Sequence, residues 1–338
     1  MIRGAIIGCG KVASQGHIPC YRMLKNVEIV AACDTSEKRV RNFSCRNNIP
    51  NAYTEISELF EKEKLDFVDI CTTPSTHYSI CLSAVDRGLN VLVEKPVALS
   101  LKETLQLRNK SDSKKVKVCP IHNYRFKNNV LRATQMCKEG RVGKIRKIMS
   151  VVHSPGPFPD WFWNEEANGG ILYESAIHFI DLQTMLCGEH HKVLGLHRNF
   201  NQDFKLTTDI CALVEYKSGA IGIIDVSAFA SSLYIRLDIF GTATNIHLKF
   251  FPDYFSMSLG PITPYAELKS ENKRFFGYVR ALFLGCKSYK QAYHFKLLSG
   301  FIKSIELGTD PPVTIESIVP TMKLLDDLKR NRCTNVSA

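Results

Sequence analysis

The sequence predicts an α/β fold in two parts: a doubly wound, Rossmann-type parallel sheet over residues 1–122, followed by an α+β domain with an open, mainly antiparallel sheet over residues 123–338. Three observations carry this expectation. The N-terminal part alternates short apolar runs with amphipathic segments, its first run breaks into Gly8-Cys9-Gly10-Lys11-Val12-Ala13, and after His122 the alternation gives way to longer β-rich runs. At 338 residues the chain exceeds one ordinary core, and an apolar share of 45% is that of a globular protein.

Gly4 to Ile7 reads as the first strand. Gly8 permits a tight turn, Gly10 lets the backbone approach a pyrophosphate, and the small Ala13 allows close helix–strand packing, while Lys11 and Val12 open a helix whose unpaired N–H groups suit an anion. A second strand, Val27 to Cys33, ends on Asp34, placed to accept hydrogen bonds from adenosine ribose hydroxyls. The Asp34 charge would repel a 2′-phosphate, which favours NAD, although Ser36, Lys38 and Arg39 nearby leave NADP open. An acidic amphipathic segment from Glu55 to Lys64 follows, then the strand Phe67 to Cys71 and a turn running from Thr72 through Pro74 to His77. A helix from about Tyr78 to Arg87 stops at Gly88.

Val91, Leu92 and Val93 read as a buried parallel strand that ends on Glu94-Lys95-Pro96. Charges at the C-terminal end of such a strand face the crevice where open α/β sheets bind ligands, and Pro96 permits a cis bond that aims the Lys95 ammonium. Ser100 to Ser111 suits a helix capped by Ser100 with Glu103 three residues on, and Val116 to Cys119 suits one more strand. Beyond His122, the pattern predicts helices from Val130 to Lys138 and Gly169 to Leu186, and strands over Ile145–Val152, Ile210–Tyr216, Ala220–Ala228 and Leu233–Phe240. Two helical stretches, roughly Tyr289 to Leu307 and Glu316 to Arg330, close the chain.

On the helix after the Gly169-Gly170 pair, Glu174, His178 and Asp181 fall at i, i+4 and i+7, which puts an acid, an imidazole and a second acid on one face. Taken alone this is equally the polar stripe of an amphipathic helix. The twin glycines favour a site.

Composition excludes several classes. The formal charge of +11 divides between the two parts, with 18 Lys+Arg against 13 Asp+Glu before His122 and no basic tail. A local cluster, Arg125, Lys127, Arg132, Lys138, Arg141, Lys144, Arg146 and Lys147, lacks the interleaved aromatics of a nucleic-acid surface, and reads as a solvated face or an attractor of a small anion. No run is apolar for the roughly 18 residues a membrane span needs, and Arg3 beside the first strand leaves no room for a signal peptide, so no membrane partner and a cytoplasmic protein are expected. The twelve cysteines include no Cys-x-x-Cys pair, which points to free thiols in a reducing compartment and away from zinc.

Together, Gly8-x-Gly10 with Asp34, the Cys71-to-His77 turn, Glu94-Lys95-Pro96, Asn123-Tyr124-Arg125-Phe126, and Gly169-Gly170 leading to Glu174, His178 and Asp181 resemble the Gfo/Idh/MocA family of NAD(P)-dependent oxidoreductases. The resemblance runs from the first strand to about Gly188. It implies NAD as cofactor with NADP open, hydride transfer at a hydroxyl or keto carbon of a sugar, polyol or sugar derivative, and a homodimer or homotetramer joined through the C-terminal sheet. Carried over by position, Lys95 and His178 are the catalytic pair, Glu174 stands where many members have aspartate, and Asn123 and Arg125 line the crevice. Trp163-Asn164 stands where many members show Trp-Arg, so a substrate-binding guanidinium is absent there. Trp161, Phe162 and Trp163 are equally packing residues or a stacking platform for a sugar or base.

Oxidising an alcohol needs a group to take the hydroxyl proton. A histidine, with an ordinary pKa near ~6.5, can do so at neutral pH, whereas a lysine near ~10.4 is already charged, which makes His178 the base and Lys95 the group that binds the developing alkoxide. The roles exchange if burial depresses the lysine. Arg125, Lys127 and Arg132 make an anionic sugar, such as a sugar phosphate or nucleotide sugar, a reasonable substrate. Two other readings stay open: an NAD-dependent glycoside hydrolase that recycles its cofactor, and a cofactor-binding protein without turnover.

Overall fold

The computed structural model describes residues 1–156, 158, 160–164, 170–198, 207–251, 253–258, 287–330 and 332–333. Two compact units emerge, Met1–Asn123 with Lys290–Val319, and Tyr124–Tyr289 with Pro320–Ala338. The sequence assigns the whole chain after His122 to the second domain, whereas Lys290–Val319 belongs to the first unit.

In the first unit, β1 (Ile2–Ile7) leads through a π-helical turn, Ala13–His17, into α1 (Ile18–Tyr21). Then come β2 (Val27–Cys33), α2 (Glu37–Asn47), β3 (Asn51–Tyr53), α3 (Ile56–Lys62), β4 (Phe67–Ile70), α4 (Pro74–Asp86), β5 (Asn90–Glu94), α5 (Leu101–Lys114) and β6 (Val118–Ile121). The six strands lie in the order β3-β2-β1-β4-β5-β6, and every pairing is parallel. Helices on the connections cover the sheet, so β4 is buried along its whole length and its strand reads Val/Ile-rich rather than alternating. The order reverses between β1 and β4, which is where doubly wound sheets bind ligands.

Local chemistry explains most boundaries. Ser36 caps α2 by accepting the Arg39 N–H at 3.3 Å, and Ser100 caps α5 by accepting that of Glu103 at 3.2 Å, while the Glu103 carboxylate accepts the Leu99 N–H at 3.1 Å. The helix predicted from Tyr78 begins earlier. Thr73 is extended, Pro74 takes the first helical turn, and His77 is helical rather than part of a turn. The last parallel strand also lies two residues later than predicted.

The second unit opens with a 3₁₀ turn, Asn123–Phe126, and α6 (Asn128–Lys138). Its strands are β7 (Ile145–Ser154), β8 (His190–Arg198), β9 (Asp209–Tyr216), β10 (Ile221–Ala228), β11 (Tyr234–Gly241), β12 (Asn245–Lys249), β13 (Tyr254–Ser258) and β14 (Arg332–Cys333). They form one sheet in the order β13-β12-β11-β7-β10-β9-β8-β14, antiparallel except where β10 meets β7 and β14 meets β8. A π-helical turn, Leu172–Ala176, leads into α7 (Ile177–Cys187). Alternation along β9 and β10 puts Ala212, Val214, Ile224 and Val226 into the core.

On α7, Gln183 fastens the helix to the sheet: its amide donates to Ser150 Oγ at 2.7 Å and the Ile223 carbonyl at 2.8 Å, and accepts from Tyr216 Oη at 3.0 Å. A Cβ on Gly222 would lie 2.6 Å from the Gln183 oxygen, so a glycine is needed for that approach. Two long helices, α8 (Lys287–Leu307) and α9 (Ile315–Arg330), close the chain. Within the first unit α8 seats Phe301 edge-on against Phe67 at 5.8 Å, and Glu306 accepts from Asn26 at 2.5 Å. Among the described residues no helix is long and apolar enough to cross a membrane.

Candidate active site

The glycine turn closes on itself around Gly8. At φ +96° its backbone is left-handed, and a Cβ there would lie 2.7 Å from the Cys71 carbonyl, so β1 and β4 end against each other with no room for a side chain. Gly10 differs, because a Cβ there would meet nothing within 4 Å. The backbone is open on that side, as a pyrophosphate approaching it requires, and the residues of the turn therefore fit a bound dinucleotide.

Asp34 carries two duties. Its Oδ2 accepts the Cys9 N–H at 2.9 Å and so pins the glycine turn, its Oδ1 accepts the Ser36 N–H at 3.0 Å, and Arg39 Nη1 lies 2.9 Å away. The Arg39 guanidinium offsets the carboxylate charge on which rejection of a 2′-phosphate rests. Lys11 is exposed and Val12 half-buried at the helix opening.

His77 acts as a strut in the first unit. It is fully buried, with Nδ1 2.7 Å from the Pro96 carbonyl oxygen and Nε2 3.1 Å from that of Thr72, and burial lowers its pKa. It thereby ties the β4–α4 turn to the segment after Lys95. Thr72 and Pro74 remain at the ends of that turn, with Thr72 Oγ1 accepting from Thr76 at 2.8 Å.

Glu94 and Lys95 stand at the end of β5, with the Lys95–Pro96 bond cis. Glu94 Oε2 accepts the Lys95 N–H at 3.2 Å, and its other oxygen lies 3.2 Å from His17 Nε2. His17 is fully buried, and its Nδ1 is 2.8 Å from Asp69 Oδ2, which also accepts from Tyr21 Oη at 2.9 Å. Two carboxylates thus share one imidazole. Although burial opposes charging it, the Asp69 carboxylate outweighs that and holds the His17 pKa well above its ordinary value. Burial likewise opposes ionising Glu94, yet the His17 hydrogen bond and charge bring it down to about 2. His294, on α8, accompanies this cluster, with its ring 5.8 Å from that of His17 and its Nε2 2.7 Å from the Asn123 amide.

None of His17, Asp69 and His294 was singled out by the sequence. Asp69 carried a readable signal, a carboxylate within an otherwise apolar strand, which demands a buried partner. The histidines did not, since the partners of His17 are 52 and 77 residues away.

In the second unit, His178 is half-buried on α7 and its imidazole stacks on the Tyr124 ring at 4.1 Å with 9° between the planes. Glu174 is half-buried in the preceding π-helical turn, where its carboxylate accepts from Ser175 Oγ. That turn breaks the strict α spacing between Glu174 and His178, while His178 and Asp181 both lie on α7. Asp181 is 1% exposed and takes Arg125 in a bidentate pair at 2.8 and 2.6 Å, with Thr321 Oγ1 donating at 3.1 Å. The two side chains form a buried tie.

Two further basic residues have partners within the second unit. Lys127 is buried against Asp253 at 3.0 Å and lies 5.1 Å over the Tyr124 ring, and Arg132 lies 4.1 Å over Phe255. These partners are distant in sequence, so counting nearby charges missed them. Trp163 packs with Phe158, Phe162 and Phe229, with its ring 4.5 Å from Phe162 and 5.5 Å from Phe229. Gly169 and the Trp161 side chain lie outside the described residues.

Comparisons with known proteins show the family. A family model described as an oxidoreductase family with an NAD-binding Rossmann fold matches residues 2–122, and one for the GFO/IDH/MocA C-terminal domain matches residues 130–247. The chain is 25% identical to a myo-inositol 2-dehydrogenase of Thermotoga maritima over 322 residues, 93% of this chain and 91% of that protein. It is 27% identical over 260 residues to scyllo-inositol 2-dehydrogenase (NAD(+)) of Bacillus subtilis, 73% of each chain. Among solved structures, the WlbA dehydrogenase of Bordetella pertussis, in complex with NADH and UDP-GlcNAcA, superposes with a TM-score of 0.81 at 16% identity over 99% of this chain and 97% of that one, a likeness of fold.

Proposed function

Because the chain belongs to the GFO/IDH/MocA family of oxidoreductases, with an NAD-binding Rossmann domain, we propose that it transfers a hydride between NAD and a hydroxyl or keto carbon of a neutral sugar or polyol. The observation that carries this reading is the glycine turn at the reversal of strand order, open at Gly10, with Lys95 at the end of the next strand but one. The inositol dehydrogenases among its relatives support a polyol, and the pairing of Arg125 and Lys127 with Asp181 and Asp253 favours a neutral one.

Bound NAD supplies the hydride acceptor. His178 takes the hydroxyl proton, its ring orientation set by the Tyr124 stack, and returns it in the reverse direction. Lys95 binds the substrate oxygen and stabilises negative charge as it develops there. Glu174, Asn123 and Trp163 contribute to holding the substrate. NAD is preferred over NADP through the Asp34 carboxylate at the end of β2. Ten free cysteines among the described residues fit a cytoplasmic location.

Self-association runs through the outer face of the eight-stranded sheet. Leu194 and Leu213 pair across β8 and β9 at 57% and 51% exposure, and Ile223 and Met149 extend the row across β10 and β7. A second copy is the occupant such a row suits.

The test is NADH formation from NAD with myo-inositol, scyllo-inositol and UDP-GlcNAcA, read beside sugar release. NADH from an inositol is expected, and His178→Ala should lower turnover about 10²- to 10⁴-fold while NAD affinity stays unchanged. Sugar release without net NADH would establish the hydrolase instead, and unchanged turnover in the variant would remove His178 from the mechanism.

A further inference from the structure

We propose that His17 is a positioning residue for Lys95: it ties Asp69 to Glu94, and so fixes the carboxylate that receives the Lys95 N–H at the end of β5. The inference rests on the hydride-transfer reading for its catalytic consequence, and on geometry for the tie itself. His17 is fully enclosed, and each ring nitrogen faces a carboxylate, Asp69 at 2.8 Å and Glu94 at 3.2 Å. Asp69 is in turn braced by the Tyr21 hydroxyl at 2.9 Å and approached by the Cys71 thiol at 3.5 Å. The chain of contacts therefore runs from the helix after the glycine turn, through the end of β4, to the residue beside Lys95.

The charges around this point come from every neighbouring element: Asp69 from β4 with Cys71 just beyond it, Glu94 from β5 with Lys95 beyond it, Cys20 and Tyr21 from α1, and His294 from α8. Two carboxylates enclosed together repel, and a neutral imidazole, with one N–H, could donate to only one of the two oxygens that face it. A protonated His17 satisfies both. The trio His17, Glu94 and His294, whose ligating atoms lie within 4.8 Å of one another, is thus accounted for by protons without a metal ion.

A glutamine at position 17 keeps one donor and one acceptor but removes the charge. Glu94 then sits in a mostly enclosed site with no cation on that oxygen, and its carboxyl pKa rises from its lowered position. The strand end loosens. Displacement of a catalytic group by about 1 Å can cost on the order of 10²-fold, whereas the glycine turn that holds the dinucleotide keeps its own Asp34 contact.

The experiment compares full-length wild type, His17→Gln and the milder Asp69→Asn. Turnover of myo-inositol with NAD is followed against pH, NAD affinity is measured by titration, exchange of the Lys95 amide by mass spectrometry, and histidine ionisation by NMR with labelled histidine. In His17→Gln, turnover should fall about 10-fold or more with NAD affinity within about two-fold. Beside the ionisation of the His178 base, the turnover profile should gain a second one above about pH 5 that wild type lacks. Lys95 amide exchange should accelerate at least about 10-fold, with Asp69→Asn shifting each readout the same way by less. A loss equal at every pH with unchanged Lys95 exchange would overturn the proposal, as would a His17 ring that is neutral at pH 7 in wild type. Should wild type oxidise no inositol, the hydride-transfer reading on that substrate falls by itself, and Lys95 exchange with the His17 ionisation still decides the tie.

Discussion

Gly8 is the residue at which backbone geometry and cofactor chemistry meet most directly. Its φ of +96° and the 2.7 Å from a would-be Cβ to the Cys71 carbonyl act together, since either alone disfavours a side chain. Gly8→Ala should therefore weaken NAD binding by at least about 10-fold and lower stability by roughly 1–3 kcal/mol. Isothermal titration with NAD and urea unfolding check both, and an alanine variant with wild-type affinity would show the turn to be more pliant than drawn. The turning role of Gly8 was legible in the sequence from the glycine motif itself, whereas its close approach to Cys71 was not. The roles of Arg125 and Asp181 were not, because they find each other across 56 residues. A residue type shows what a side chain can do; its partner decides what it does.

Among elements, the two helices that carry the expected sites each begin with a π-helical turn, Ala13–His17 and Leu172–Ala176. Such turns recur at functional sites and displace the side chains that follow from strict α register. Nothing in residue spacing announces them, which is why Glu174 was placed in strict α register with His178. Beyond the second π turn, α7 is held by the Arg125–Asp181 tie, whose side chains are 10% and 1% exposed. Asp181→Asn should leave the guanidinium unneutralised and cost about 3 kcal/mol, seen as a lower urea midpoint at unchanged slope. A shift under about half that would mean that solvent reaches the pair. Strands with long apolar runs were read at their bounds, as in β2, whereas the five-residue β12 and β13 were missed. Their alternation is too short to rise above the surrounding polar residues, and it acquires meaning only from pairing with β11.

At the level of the whole molecule, the His17 cluster gives stability a defined response to pH. Glu94 is lowered from 4.5 to about 2, so its contribution is present above about 4.5 and is lost as pH falls toward 2. His17 is raised well above 6.5, so its contribution is present below 6.5 and is lost as pH rises through the raised value. The thermal advantage of wild type over Glu94→Gln should consequently be greatest between about pH 4.5 and 6.5 and shrink on both sides. Calorimetry across that range measures it, and an advantage independent of pH would remove the charge pairing from the account. The two-part architecture was readable from the change of rhythm at His122, yet the return of Lys290–Val319 to the first unit was not. That return depends on contacts such as Phe301 with Phe67, made more than two hundred residues apart, and no local pattern encodes them.

The outer sheet face is also where a second copy would leave its mark. Leu213→Lys should shift light-scattering mass toward the monomer, and an unchanged mass would exclude this face as the contact. Cys211 lies on the same face, two residues before Leu213, and with Cys45 on α2 it is one of two exposed thiols among the described residues. Burial and the Asp225 carboxylate raise the Cys211 pKa, so it should alkylate slowly even in a monomer. Shielding by a companion chain would then suppress its labelling further while Cys45 reacts at a steady pace, so that a single sample diluted stepwise carries both the reporter and its internal clock.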